Sequence, residues 1–109
     1  MKTWYSIQAK ADQSADISIF DEIGFWGVTA KQFIGDIKAI DAKTIKLAIN
    51  SPGGSVFDAL AMYNALRQHP ANVEVTVLGV AASAASLVAM AGDTIVMPEN
   101  AFMMIHNPL

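Results

Sequence analysis

Twice in this chain of 109 residues an apolar strand pattern runs into a glycine-bearing turn and resumes as a helical pattern. The first passage is Thr44 to Ile49, with Ile45, Leu47 and Ile49 on one face. Ser51-Pro52-Gly53-Gly54 breaks it, and a helix follows. Ser55 and Asp58 have the spacing of a capping box, Val56, Leu60, Tyr63 and Leu66 supply an apolar stripe, and His69-Pro70 stops the run. The second passage is the β-branched run Val73 to Leu78, then Gly79, then a small-residue helix from about Ser83 to Ala91. Strands that alternate with helices in this way predict an α/β fold, with a largely parallel sheet stacked against helices. Such folds place ligands and reacting groups at the strand-to-helix junctions.

The flanking segments extend the pattern to β-β-α-β-α-β-α-β-β. Trp4 to Ala9 and Ala15 to Ile23 read as a hairpin around the polar Ala11–Ser14 turn. Gly24-Phe25-Trp26-Gly27 reads as a turn. Thr29 with Gln32 has capping-box spacing, and Ala30, Phe33, Ile34, Ile37 and Ile40 follow at helical intervals until Asp41-Ala42-Lys43. Thr94 to Met97 and Phe102 to Ile105 complete the chain as short strands.

Composition narrows the chemistry. With no cysteine, disulfides, thiolate metal sites and cysteine nucleophiles are excluded. Seven basic residues against ten acidic, the basic ones scattered, argue against nucleic acid as the partner. The most apolar run, Val75 to Ala91, is interrupted by Thr76, Gly79, Ser83 and Ser86 and falls short of the ~20 residues a spanning helix needs, so no membrane segment is expected. Nothing in the sequence implies a metal or cofactor. At 53% hydrophobic residues, the chain is expected to bury more apolar surface than a core of its own size hides, by self-association or against a missing partner surface.

Three motifs carry possible chemistry. In Asn50-Ser51-Pro52-Gly53-Gly54-Ser55, two glycines permit close backbone approach, and the helix start that follows leaves N–H groups unpaired. That suits an oxyanion hole, although a plain tight turn is the simpler account of the motif alone. In Gly79-Val80-Ala81-Ala82-Ser83-Ala84-Ala85-Ser86, Ser83 has the position of a helix N-cap, and by itself that is the better reading. Its small neighbours would equally let a substrate carbonyl reach its oxygen, with the Ala84 N–H beside the developing negative charge. Ser86 reads as a small packing residue. In Met103-Met104-Ile105-His106-Asn107-Pro108, His106 is the one good general-base candidate, since His69 precedes a proline and reads as a helix end. Together, in this order, the motifs supply donor, nucleophile and base.

These motifs resemble the Clp proteolytic subunit family: Ile-Asn-Ser-Pro-Gly-Gly-Ser-Val at 49–56, Gly-x-Ala-Ala-Ser at 79–83 and Met-Ile-His-x-Pro at 104–108, in order, within a likeness that runs from about residue 17 onward. The stretch Gly-Phe-Trp-Gly-Val-Thr-Ala at 24–30 and the double methionine before Ile105 are similar to the phage and prophage branch, the head-maturation (prohead) proteases. The resemblance implies a repeated β-β-α spiral of the crotonase-like kind and a serine endopeptidase. Ser83 would be nucleophile, His106 general base, Gly54 and Ala84 the oxyanion donors, and Gly53 and Ser55 substrate contacts. It also implies a polypeptide substrate, capsid or scaffold proteins in the phage case, a homo-oligomeric ring and a cytoplasmic or prohead location.

Two departures stand out. Ala84-Ala85 replaces the Met-Gly that often follows the serine in the family. The family's catalytic aspartate lies downstream of the histidine, in a segment beyond Leu109; Asp93 precedes His106 and does not match it. Residues 1–109 are therefore expected to be the N-terminal portion of one protease domain, weakly active or inactive alone. Losing that aspartate costs about 10⁴ in turnover in a serine protease. The competing readings are an inactive assembly module of a ring or capsid and a crotonase-type acyl-CoA enzyme. A Ser/Lys dyad of the signal-peptide-peptidase type is disfavoured by His106.

Overall fold

A computed structural model describes residues 3–24 and 29–104. The elements are β1 (Tyr5–Ala9), β2 (Ser14–Ile19), α1 (Ala30–Lys38), β3 (Thr44–Ser51), α2 (Val56–Gln68), β4 (Asn72–Ala82), α3 (Ala84–Ala89), β5 (Thr94–Val96) and β6 (Phe102–Met104). They form one six-stranded sheet in the order β1-β2-β3-β4-β5, with β6 also on β4. Only the β1–β2 hairpin is antiparallel; the β2–β3, β3–β4, β4–β5 and β4–β6 pairs are parallel. The mixed α/β architecture expected from the alternation is the one observed. The 25–27 part of the expected Gly24–Gly27 turn lies outside the described residues.

The hairpin turns at Gln13, whose φ is 65°. Asp12 Oδ1 accepts from the Ser14 N–H (3.2 Å) and hydroxyl (2.5 Å). The hydroxyl bond is the main reason that the Asp12 carboxyl titrates below the usual aspartate range.

Alternation along the strands assigns one sheet face to the core. Ile17 and Ile19, then Ile45, Leu47 and Ile49, then Val73, Val75 and Val77 are all buried in one cluster with Phe33 and Ile37 of α1, Met62 and Leu66 of α2, and Val88 of α3. At the β1 end the cluster is aromatic. Phe33 stacks on Trp4 with centroids 5.6 Å apart and meets Tyr5 edge-on at 5.0 Å. The Tyr5 hydroxyl donates to Asp36 at 2.7 Å. Burial first, then this bond and the charge of Asp36, push the Tyr5 phenol up.

Several local expectations are revised. Thr29 makes no side-chain capping bond; its backbone oxygen accepts from the Gln32 N–H at 3.2 Å instead. The strand expected to reach Ile23 ends at Ile19, and Ile23 forms an isolated parallel bridge with Gly54. In α2 the buried face is Ala59, Met62, Ala65 and Leu66, whereas Val56 and Leu60 of the expected stripe are exposed and Phe57 is 87% exposed. Both sets have helical spacing. The helix lies between α1 and α3, where small side chains permit close approach, and that selects the alanine-bearing face.

His69 ends α2 with both ring nitrogens engaged. Nδ1 accepts from the Ala71 N–H at 3.0 Å, which leaves the proton on Nε2, 2.9 Å from the Ile40 oxygen, to be donated. Among the described residues no helix is long and apolar enough to cross a membrane, and no three His, Asp or Glu side chains gather as a metal site would require.

Candidate functional site: two strand-to-helix junctions

The carboxyl ends of β3 and β4 lie side by side, and each leads into a helix. β3 and β4 pair evenly from Thr44↔Asn72 to Ile49↔Val77, then jump to Ser51↔Ala81. The jump leaves Leu78, Gly79 and Val80 of β4 opposite Asn50 alone, which is a bulge. Asn50 fills it: its Oδ1 accepts from the Val80 N–H at 3.1 Å. A Cβ on Gly79 would stand 2.7 Å from that oxygen, so a side chain there would displace Asn50 from the bulge. Beyond the bulge β4 continues to Ala82, where an earlier end at Leu78 was expected. Its last residues pair with β6, Val80↔Phe102 to Ala82↔Met104.

The first junction is pinned by Ser51, which is fully buried. Its hydroxyl donates to the Asp21 carbonyl at 2.8 Å and accepts from the Gly53 N–H at 3.2 Å. Gly53 and Gly54 have φ of 122° and 146°, a conformation that a Cβ opposes. The Gly53 carbonyl accepts from the Ile23 N–H at 2.7 Å. A Cβ on Gly54 would fall on the Ile23 carbonyl oxygen. Ser55 then caps α2 in the ordinary way, with φ −66°, ψ 124° and its Oγ accepting from the Asp58 N–H at 3.2 Å.

The second junction is different. Ser83 occupies the N-cap position of α3 with φ 53° and ψ −121°, and its side chain makes no capping bond. A non-glycine residue in this region is strained by roughly 1–3 kcal/mol and persists only where its surroundings hold it. Here the Ser83 N–H donates to the Met104 carbonyl at 2.8 Å, and the Ser83 carbonyl accepts from the Ser86 N–H at 3.0 Å. A sharp, strained strand-to-helix turn is the geometry that lifts the nucleophilic serine out of the sheet in α/β-hydrolases. The N-cap account of Ser83 therefore loses the hydrogen bond on which it rested.

The two junctions touch. A Cβ on Gly53 would stand 3.1 Å from Ser83 Cβ and 3.4 Å from the Ala84 nitrogen. Ser83, Ala84, Gly53 and Gly54 thus share one end of the sheet, with Ser55 beside them; His106 lies outside the described residues. Asp93 is committed elsewhere, accepting from the Val73 N–H at 2.8 Å with Arg67 3.7 Å away.

A profile of the Clp protease family matches residues 1–109. The chain belongs to the Clp protease family. It is 39% identical over 101 residues to the chloroplastic ATP-dependent Clp protease proteolytic subunit 4 of Arabidopsis thaliana, covering 82% of this chain and 34% of that protein. It is 41% identical over 87 residues to the ATP-dependent Clp protease proteolytic subunit of Ligilactobacillus salivarius, covering 73% of this chain and 44% of that one. The ClpP protease catalytic domain of Plasmodium falciparum superposes with a TM-score of 0.69 at 27% identity, over 88% of this chain and 55% of that structure. The chain spans between a third and a half of the length of these curated relatives. The family resemblance and the fold stated from the sequence both hold at this level.

Sequence reasoning passed over three residues of the site. Asn50 and Ser51 precede the glycines that drew attention, and short polar side chains there are the usual signal of turn-keeping bonds. Ser86 read as packing, yet its hydroxyl donates to the Ser83 carbonyl at 2.5 Å.

Proposed function

We propose that this chain carries the nucleophile and oxyanion hole of a serine endopeptidase acting on polypeptides. The observation that carries the reading is Ser83: strained, uncapped and against Gly53 at the end of a parallel sheet. Ser83 Oγ attacks the scissile carbonyl, and His106 takes its proton. The Ala84 and Gly54 N–H groups stabilise the oxyanion, while Gly53 and Ser55 contact substrate. The C–N bond breaks as His106 returns the proton to the leaving amine, and water then releases the acyl-enzyme. Met104, whose carbonyl holds the Ser83 N–H, precedes His106 by two residues in sequence. On this reading the chain is the N-terminal portion of a single protease domain, and the aspartate that orients His106 comes from a segment beyond Leu109.

Within the family, the finer reading is the phage or prophage branch, cleaving capsid or scaffold proteins in the cytoplasm or prohead. Residues 24–30 and the Met103-Met104 pair support it. Assembly into a homo-oligomeric ring is supported by the apolar side chains left exposed on α2 and β5, among them Phe57, Leu60 and Val96.

That same exposed surface favours one other reading, an inert assembly module with a vestigial site. Fluorophosphonate labelling of the full-length protein, alongside its mass in solution, separates the two. Labelling that Ser83→Ala abolishes supports the peptidase. A large assembly that is never labelled supports the module.

A further inference from the structure

The Ser83–Ala84 peptide is one rigid plane, so whatever fixes the Ser83 carbonyl also fixes the Ala84 N–H on its opposite side. Two donors reach that carbonyl, and both come from Ser86: its backbone N–H at 3.0 Å and its hydroxyl at 2.5 Å. Ser86 is 4% exposed, one turn along α3. Its hydroxyl is therefore committed to the Ser83 carbonyl and is more than packing. On the other side of Ser83, the N–H is tied to Met104 of β6 at 2.8 Å. Rotation of the Ser83–Ala84 plane would carry ψ of Ser83 from −121° toward the allowed left-handed region without changing its φ, and would turn the Ala84 N–H away from the nucleophile.

We propose that Ser86 is a positioning residue: its hydroxyl locks the Ser83–Ala84 peptide so that the Ala84 N–H stays aimed at the oxyanion. The inference rests on reading Ser83 as the nucleophile. Removing an oxyanion donor outright costs about 10²–10³ in turnover, and loosening one costs less. Ser86→Ala keeps the backbone donor and loses the hydroxyl, so a fall of roughly 10-fold is expected in kcat and in the fluorophosphonate labelling rate, with KM changed less than about twofold.

The test measures peptide hydrolysis and labelling rate per folded molecule in the full-length protein, with melting temperature recorded for each variant. Ser86→Thr, which keeps the hydroxyl, is expected to recover labelling to within about threefold of the starting protein. If Ser86→Ala does not fold, Ser86→Cys offers a weak donor of similar size and is expected to label slowly. Ile37→Ala in α1 is the destabilised control: it lowers the melting temperature and leaves the labelling rate of the folded fraction unchanged. A Ser86→Ala protein that melts earlier yet labels at the full rate overturns the proposal. Labelling that survives Ser83→Ala overturns the nucleophile reading itself and takes the proposal with it, an outcome visible without any Ser86 variant.

Discussion

Ser55 and Ser83 hold the same formal position, one residue before a helix that follows a strand, and they are built in opposite ways. Ser55 has extended backbone angles and spends its hydroxyl on the Asp58 N–H. Ser83 has a positive φ and no capping bond. Gly53 and Gly54 take up the turn ahead of Ser55, whereas Ala81 and Ala82 precede Ser83, which adopts the positive φ itself. A capping hydroxyl lowers the free energy of its helix by satisfying an orphan N–H. An uncapped one in a strained turn gives up that gain and keeps its oxygen uncommitted to the helix. One serine serves stability, and the other is held at a cost by Met104 and Ser86.

The contrast makes opposite predictions for similar substitutions. The largest effect is expected from crowding. Gly53→Ala would bring a methyl to within 3.1 Å of Ser83 Cβ at a φ of 122°, and a displacement of the proposed nucleophile on the ångström scale costs about 10² in rate. Steady-state peptidase assays should show that loss chiefly in kcat. A kcat within a factor of two or three would mean that the junctions do not cooperate.

Next comes relief of strain. Ser83→Gly removes the Cβ that opposes the positive φ and should stabilise the fold by about 1 kcal/mol, in chemical denaturation, while abolishing labelling. If that variant is instead less stable, Ser83 is not strained, and the contrast with Ser55 is lost.

The matching change at the first junction has the opposite sign. Ser55→Ala removes the cap of α2 and should destabilise by about 1 kcal/mol with little effect on kcat. A raised KM in the same variant is expected from the proposed contact of Ser55 with substrate, and an unchanged KM would remove that role.

The smallest effect concerns the bulge between β3 and β4. Asn50→Asp keeps an acceptor for the Val80 N–H and should leave labelling within about threefold, whereas Asn50→Leu leaves that exposed N–H to water and should cost about 0.5 kcal/mol of stability. Equal behaviour of the two variants in thermal melts would show that the Asn50 bond does not hold the bulge.

The alternation of strand and helix made the parallel sheet legible, because period-two patterns give way to helical ones after Gly53-Gly54 and again before Ala84. The motifs were legible as sequence, and the family that they suggested is the one that matches. What escaped were choices that only tertiary packing makes. The apolar positions of α2 permit two helical faces, and the fit between neighbouring helices selects Ala59 and Met62 over Val56 and Leu60. The end of β4 was read too early because Gly79 looks like a breaker, whereas its missing Cβ makes room for Asn50 in a continuing strand. The conformation of Ser83 has no local signal at all: a serine before alanines reads as a cap, and the angles come from Met104 and Ser86, 21 and three residues away.

The central claim is that the strained serine, not the capped or the buried one, is the nucleophile. Treating the full-length protein with a fluorophosphonate and sequencing its modified peptide by fragmentation mass spectrometry tests this directly. The account predicts a single adduct on Ser83. An adduct on Ser55 or Ser86, or none in a preparation that hydrolyses peptides, would contradict it.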